Sequence, residues 1–282
     1  MKHRGAGYAL LIPAVVVYLL ATVIPAFWVV RLSFYESNYM TERFIGLRNY
    51  VQTFADPTWW RSVLASLKFV MFIVPAQILI PLVFALIAVN EPKGMQSYLR
   101  MVWYLPGAVS AIILSNVWRW IFDHNYGIAN YLLGFLGLGP VKWWSGQWSA
   151  IAAMSVIAIT VSIGGGLIMY LAVMLSIDSD LYAAAQIDGA SWWQIRWRIV
   201  MPMIMPTIAL IALISLIGTM QLWYLPYLLT SGGPARSTET IMFNVFREGF
   251  LLSKYGLANA RALMLVLLTA ALALVSRRVS RG

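Results

Sequence analysis

Cysteine is absent from the 282 residues, and histidine occurs only at His3 and His124. Disulfides, thiolate nucleophiles and Cys-based metal sites are thereby excluded, and no His-rich metal constellation can be assembled. Charge is scarce too, at 11% of residues, against roughly a quarter in an ordinary soluble domain. No GxxxxGK[ST] phosphate loop is present, so hydrolysis of ATP by that device is excluded. The ten acids, Glu36, Glu42, Asp56, Glu91, Asp123, Asp178, Asp180, Asp188, Glu239 and Glu248, fall between the long apolar runs or at their edges. An intramembrane hydrolase lacks its histidine base or metal pair at depth. A proton-coupled carrier lacks its buried relay. Carbonyls and hydroxyls can also hold sodium, so an ion-coupled secondary carrier of a neutral polar solute stays as the alternative.

What the chain does have is apolar length, with 61% hydrophobic residues and a mean hydropathy of +0.77. Six runs are long enough to cross a bilayer: Tyr8–Val30, Leu67–Val89, Met101–Phe122, Ser149–Leu175, Met205–Leu229 and residues 257–275. The first exceeds the ~7–15 apolar residues of a secretory signal and reads as a retained span. The expectation is an all-α integral membrane protein with six transmembrane helices. Residues 1–60 form a first span with its loop, and residues 61–282 form a transmembrane core containing a polar loop at 177–204. A net charge of +10 is spread over span ends, which points to lipid headgroups and not to nucleic acid.

Within the runs, Pro75, Gln77 and Pro81 lie in the second, and Pro106 and Gly107 in the third. Arg119 is expected to snorkel between Trp118 and Trp120. The segment GIANYLLGFLGLG reads as an amphipathic surface helix. Gly164, Gly165 and Gly166 in the fourth run serve either close helix approach or a wide point in a passage. Six crossings put both termini on one side. With the termini inside, nine Lys/Arg face the cytosol and eleven face out, so charge alone leaves the side open, while the purely cationic tails favour the inside.

The interval Ile177–Pro206 is longer than a connection between spans requires. Asp178 and Asp180 supply the anions and capping oxygens of a helix start, and Gly189 supplies a break. A second short helix carrying Trp192, Trp193 and Trp197 then leads to Pro202 and Pro206, which restart the chain into the bilayer. Periodicity alone is equally met by a membrane-surface helix with tryptophans at headgroup level. The spacing of Ala183, Ala184, Ala185, Gly189, Ile199 and Pro202 resembles the EAA loop of ABC-importer permeases. Ala183 stands where that family usually has Glu, and Met201 where it usually has Leu. GLRNY followed by DPTWW, and the phrasing around Gly232-Gly233-Pro234, are similar to the carbohydrate-uptake branch, the maltose and glycerol-phosphate permeases.

That resemblance implies a type I importer fold, MetI-like, in a multi-pass plasma-membrane protein with both termini cytosolic. It implies a permease and not an enzyme, with ATP and Mg held by a partner. The partners would be a second permease subunit, two ATPase subunits and an external solute-binding protein. Ala183, Ala184, Ala185, Asp188, Gly189, Ile199 and Pro202 would form the element seated on the ATPase. The implied solute is a sugar or oligosaccharide, or a glycerophosphodiester. The residues themselves offer Ser162, Ser215, Thr219, Gln221, Trp223 and Tyr224, the neutral hydroxyl, amide and aromatic groups a sugar wants. Ser and Thr in spans also bond back to their own helix, and for each alone that is the competing reading. By resemblance, the solute-facing positions are Val161, Ser162, Gly165, Ser215, Gly218, Thr219 and Leu222. Gly218 replaces a phenylalanine, and Thr219 and Leu222 replace asparagines, of the larger maltose-permease subunit.

Overall fold

Long apolar stretches with no internal turn chemistry become helices because the bilayer leaves no other way to satisfy the backbone. The computed structural model describes residues 4–38 and 40–279, with side chains over 11–38 and 40–275. His3, Lys2 and Arg281, and the side chains of Arg4, Arg277 and Arg278, lie outside the described residues. Five helices are long and apolar enough to cross a membrane: Leu11–Leu32, Pro57–Ala88, Gln147–Leu175, Trp192–Met220 and Tyr255–Val275. A bent pair, Lys93–Ala108 and Ala111–Ile121, meeting at 98°, brings the crossings to six when counted as one.

Two sequence expectations need correcting. The third crossing is not one helix over Met101–Phe122. Pro106 has no N–H to continue the ladder, and the helix ends two residues later, with Val109 and Ser110 extended before Ser110 starts the next segment. The fifth crossing begins at Trp192 and not at Met205. Its first turns, a π-helical segment Arg196–Val200 and Met201–Met220 run on without a stop, so Pro202 and Pro206 lie inside a continuous helix. It also ends at Met220, and Tyr224–Thr230 forms a separate short helix where the sequence suggested one span to Leu229.

The chain divides into two compact units. One holds residues 1–60 and 244–268. In it a hairpin pairs Tyr35–Ser37 with Glu42–Phe44, followed by the helix Arg48–Ala55. Asn49, 4% exposed, ties these together by donating to the carbonyls of Ser33 and Tyr35. The other unit holds residues 61–243 and 269–282. Its two apolar cores lie along the fourth crossing. One gathers Leu82, Ala85, Leu167, Tyr170, Leu171, Val200 and Ile204, and the other Phe69, Ile73, Ile151, Met154, Ile157 and Leu225. The segment GIANYLLGFLGLG contains a helix, Ile128–Phe135. Arg119 is exposed and donates to the carbonyl of Leu228 in the helix Tyr224–Thr230.

Candidate functional site: an uncharged cavity and a capped elbow

The glycine triplet splits its work. A Cβ on Gly164 would lie 2.5 Å from the backbone of Tyr104, and one on Gly166 would lie 2.8 Å from Pro81. These two glycines let the third and second crossings press against the fourth. A Cβ on Gly165 would meet nothing within 4 Å. Both alternatives read from the sequence therefore hold, at different residues. Gly107 repeats the pattern, since its Cβ would stand 2.9 Å from the Val161 carbonyl.

Gly165 opens on a cavity of about 450 Å³. Val161, Ser162 and Gly165 line it from the fourth crossing, and Ser215, Gly218 and Thr219 from the fifth, with Leu222 just beyond that helix. All seven positions given by the resemblance are thus brought to one space, and Tyr224 joins them; Gln221, exposed at the helix end, and Trp223 do not line it. Gly218 is also open, with nothing within 4 Å of the place a methyl would take. Ser162 spends its hydroxyl on the Ile159 carbonyl at 2.9 Å, as the back-bonding reading expects. Among the described residues the hydroxyls of Ser215 and Thr219 make no hydrogen bond, and neither is sealed from the cavity.

Sequence reasoning missed Gln77 and Tyr104 as lining groups. Gln77 donates to the Ala158 carbonyl at 3.2 Å, which leaves its side-chain oxygen as an acceptor. Their neighbours come from other helices, and no spacing within one run signals that. Every lining side chain is neutral. Leu222 is held from the loop Ser231–Thr240, where the Thr240 hydroxyl donates to its carbonyl; the next residue, Ile241, donates its amide to Ser66 Oγ at 2.9 Å. The same loop is knitted by Thr238, which donates to the Gly233 carbonyl at 2.7 Å.

The second site is the elbow. Asp178 caps the helix Ser179–Ile187 by accepting from the Asp180 amide. Ala183, Ala184 and Ala185 lie on that helix, and Asp188 closes it. Gly189, at φ +76°, reverses the chain in the left-handed region. The Ala190 amide bonds the Ala185 carbonyl and the Gly189 amide bonds the Gln186 carbonyl, a Schellman closure. Ser191 and Gln194 then form a reciprocal capping box, whose S-x-x-Q signature was there to be read in the sequence. A hollow of about 270 Å³ lies in the bend, lined by Asp188, Gly189, Ile199 and four neighbours including Arg198. Pro202 lies beyond it, in the fifth crossing. Tyr182, on the elbow helix, has its phenol pushed up by burial, against the pull of the Arg196 charge. Among the described residues no group of three His, Asp or Glu could hold a metal.

Comparison with known proteins gives a family match over residues 53–281, described as binding-protein-dependent transport system inner membrane component. The trehalose/maltose transport system permease protein MalF of Thermococcus litoralis is 29% identical, over 100% of this chain and 96% of its own. The sulfoquinovosyl glycerol transport system permease protein SmoG of Agrobacterium fabrum is 28% identical, over 100% and 92%. A bacterial ABC transporter that imports the acidic polysaccharide alginate has a chain of the same fold, with a TM-score of 0.85 at 24% identity, covering 99% of this chain and 96% of that one.

Proposed function

Because the chain belongs to the family of binding-protein-dependent transport system inner membrane components, we propose that it lines half of the translocation path of an ATP-driven importer for a neutral sugar or short oligosaccharide. Membership of that family replaces the ion-coupled carrier as the reading of the chain. The observation that carries the solute class is the cavity: Ser215, Thr219, Gln77 and Tyr104 offer hydroxyl, amide and aromatic partners, and no lining side chain is charged. A sugar exchanges its water for such groups without stranding a charge, whereas a phosphodiester or uronate would be buried against an uncompensating wall. The family's inner-membrane setting and the sugar permeases among its relatives support this.

In this reading the elbow from Asp178 to Ile199 faces the cytosol and seats on an ATPase subunit, which places both termini inside. ATP and Mg belong to two such ATPase subunits. A second permease completes the path, and an external binding protein delivers the solute. Closure of the ATPases moves the elbow, and with it the fifth crossing whose Ser215 and Thr219 face the cavity.

The test is reconstitution. The chain is expected to co-purify with an ATPase, with uptake dependent on ATP. The double variant Ser215→Ala, Thr219→Val should reduce uptake while ATPase docking survives. Uptake by the isolated chain driven by an ion gradient would overturn the importer, and unchanged kinetics in the double variant would remove those residues from the path. A thermal-shift screen of the partnering binding protein against neutral sugars, uronates and glycerophosphodiesters decides the solute class.

A further inference from the structure

Arg196 is out of place among its neighbours. Trp192, Trp193 and Trp197 are exposed by 51%, 64% and 60%, while the arginine between them is 6% exposed. A cation on the first turns of a crossing ordinarily extends to headgroups; this one turns inward. Its Nη2 donates to Asn90 Oδ1 at 2.8 Å, and its guanidinium stands 4.9 Å over the Trp192 ring. Asn90 in turn donates from Nδ2 to the Leu86 carbonyl at 3.3 Å, at the end of the second crossing. Arg196 also opens the π-helical turn Arg196–Val200, an irregularity that concentrates at working sites. At the far end of that turn Val200, fully buried, packs in one core with Leu82, Ala88 and Tyr182.

We infer that Arg196 and Asn90 form a positioning clamp that makes the elbow and the end of the second crossing move as one body. The inference rests on the importer reading given above for the direction in which force enters, but the clamp itself is a property of this chain. Two features favour a clamp over simple packing. The guanidinium is seated on a ring face of its own helix and donates one directional hydrogen bond to a residue 106 positions away, so the first turns of the fifth crossing are tied to the end of the second. And Asn90 is itself exposed, so the hydrogen bond is not what fills the core there. A lever that is pinned to its neighbour passes displacement on; one that is free absorbs it by bending at the π-helical turn.

Because the native chain has no cysteine, introduced cysteines label single sites. Spin labels at Ile187→Cys, on the elbow, and Ile87→Cys, at the end of the second crossing, both exposed positions, report the distance across the clamp in the complex reconstituted with its ATPases. The distance distribution is expected to be narrow and the same at rest and after trapping with Mg-ATP and vanadate. Arg196→Met, which keeps the stem and removes the donor, should widen it in both states, as should Asn90→Ala. Asn90→Asp, which restores an acceptor, should keep it narrow. A wild-type distance that changes on trapping, a narrow distribution in Arg196→Met, or an Asn90→Asp that behaves as Asn90→Ala would each overturn the clamp. Should no ATPase associate with the chain, the importer reading fails, and the resting-state comparison of wild type with Arg196→Met and Asn90→Ala still decides the clamp.

Discussion

Arg261 Nη2 stands 2.6 Å from Asp56 Oδ2, across 205 residues of chain. The arginine is 1% exposed, inside the sixth crossing, and its Nη1 also bonds Asn244 at 2.6 Å and Glu248 at 3.3 Å. Its guanidinium lies 6.0 Å from the Trp59 ring. Removing the arginine takes the shortest cation contact from the partly exposed Asp56 and leaves the buried Glu248 with Arg247 and Lys254, at a cost of about 1–3 kcal/mol. Arg261→Met should therefore lower the melting temperature of the purified protein markedly. A variant melting with the wild type would show that the pair contributes nothing.

The same contact sets a pH dependence. Burial raises the Asp56 carboxyl, but the Thr58 amide and the Arg261 charge outweigh that and hold it below its ordinary 3.8. A lowered carboxyl contributes stability that is complete above its unfolded value and is lost as pH falls through the folded one. Acid titration of thermal stability should show a drop below the ordinary carboxylate range that Asp56→Asn lacks. Parallel curves for the two proteins would refute it.

The glycine triplet predicts a split between stability and transport. Gly164→Ala forces a methyl into the Tyr104 backbone and should destabilise by about 1–3 kcal/mol. Gly165→Val and Gly218→Phe enter open space and should leave the melting temperature near wild type while reducing uptake. If Gly165→Val melts as low as Gly164→Ala, the assignment of the two faces is wrong.

At the elbow, Gly189 has no neighbour within 4 Å of a Cβ, so a side chain there meets only backbone strain. Asparagine tolerates the left-handed region and valine does not. Gly189→Asn should keep ATPase association and Gly189→Val should lose it, by co-purification. Equal behaviour would mean the bend is not what the partner reads.

Thr240→Val removes the donor to the Leu222 carbonyl and leaves that acceptor unpaired, a loss of about 1–3 kcal/mol. The cavity wall at Leu222 should loosen, raising KM for uptake more than it lowers kcat. An unchanged KM would place Leu222 outside the solute path.

The crossings were legible because apolar length in lipid has few outcomes, and Asp178 and Gly189 were legible because caps and left-handed turns use particular residues. The bend after Pro106 was not, since prolines inside Pro57–Ala88 leave that helix unbroken. Nor was the early start of the fifth crossing, because Pro202 and Pro206 look like a beginning and act as interior residues. Arg261 was hidden by the apolar window around it, and its partners lie in other parts of the chain. The cavity was half visible: resemblance supplied one residue set, while Gln77 and Tyr104 join it only through folding.

The unbroken helix Trp192–Met220 has a mechanical corollary. At 1.5 Å per residue it is a rod of about 43 Å. Pivoting it by about 5° swings a point ~40 Å away through ~3.5 Å. Thr219 sits almost at the tip of that rod, so with the Arg196–Asn90 contact holding its π-helical turn, a modest rotation at the tryptophan end reshapes the chamber by about the width of a water molecule.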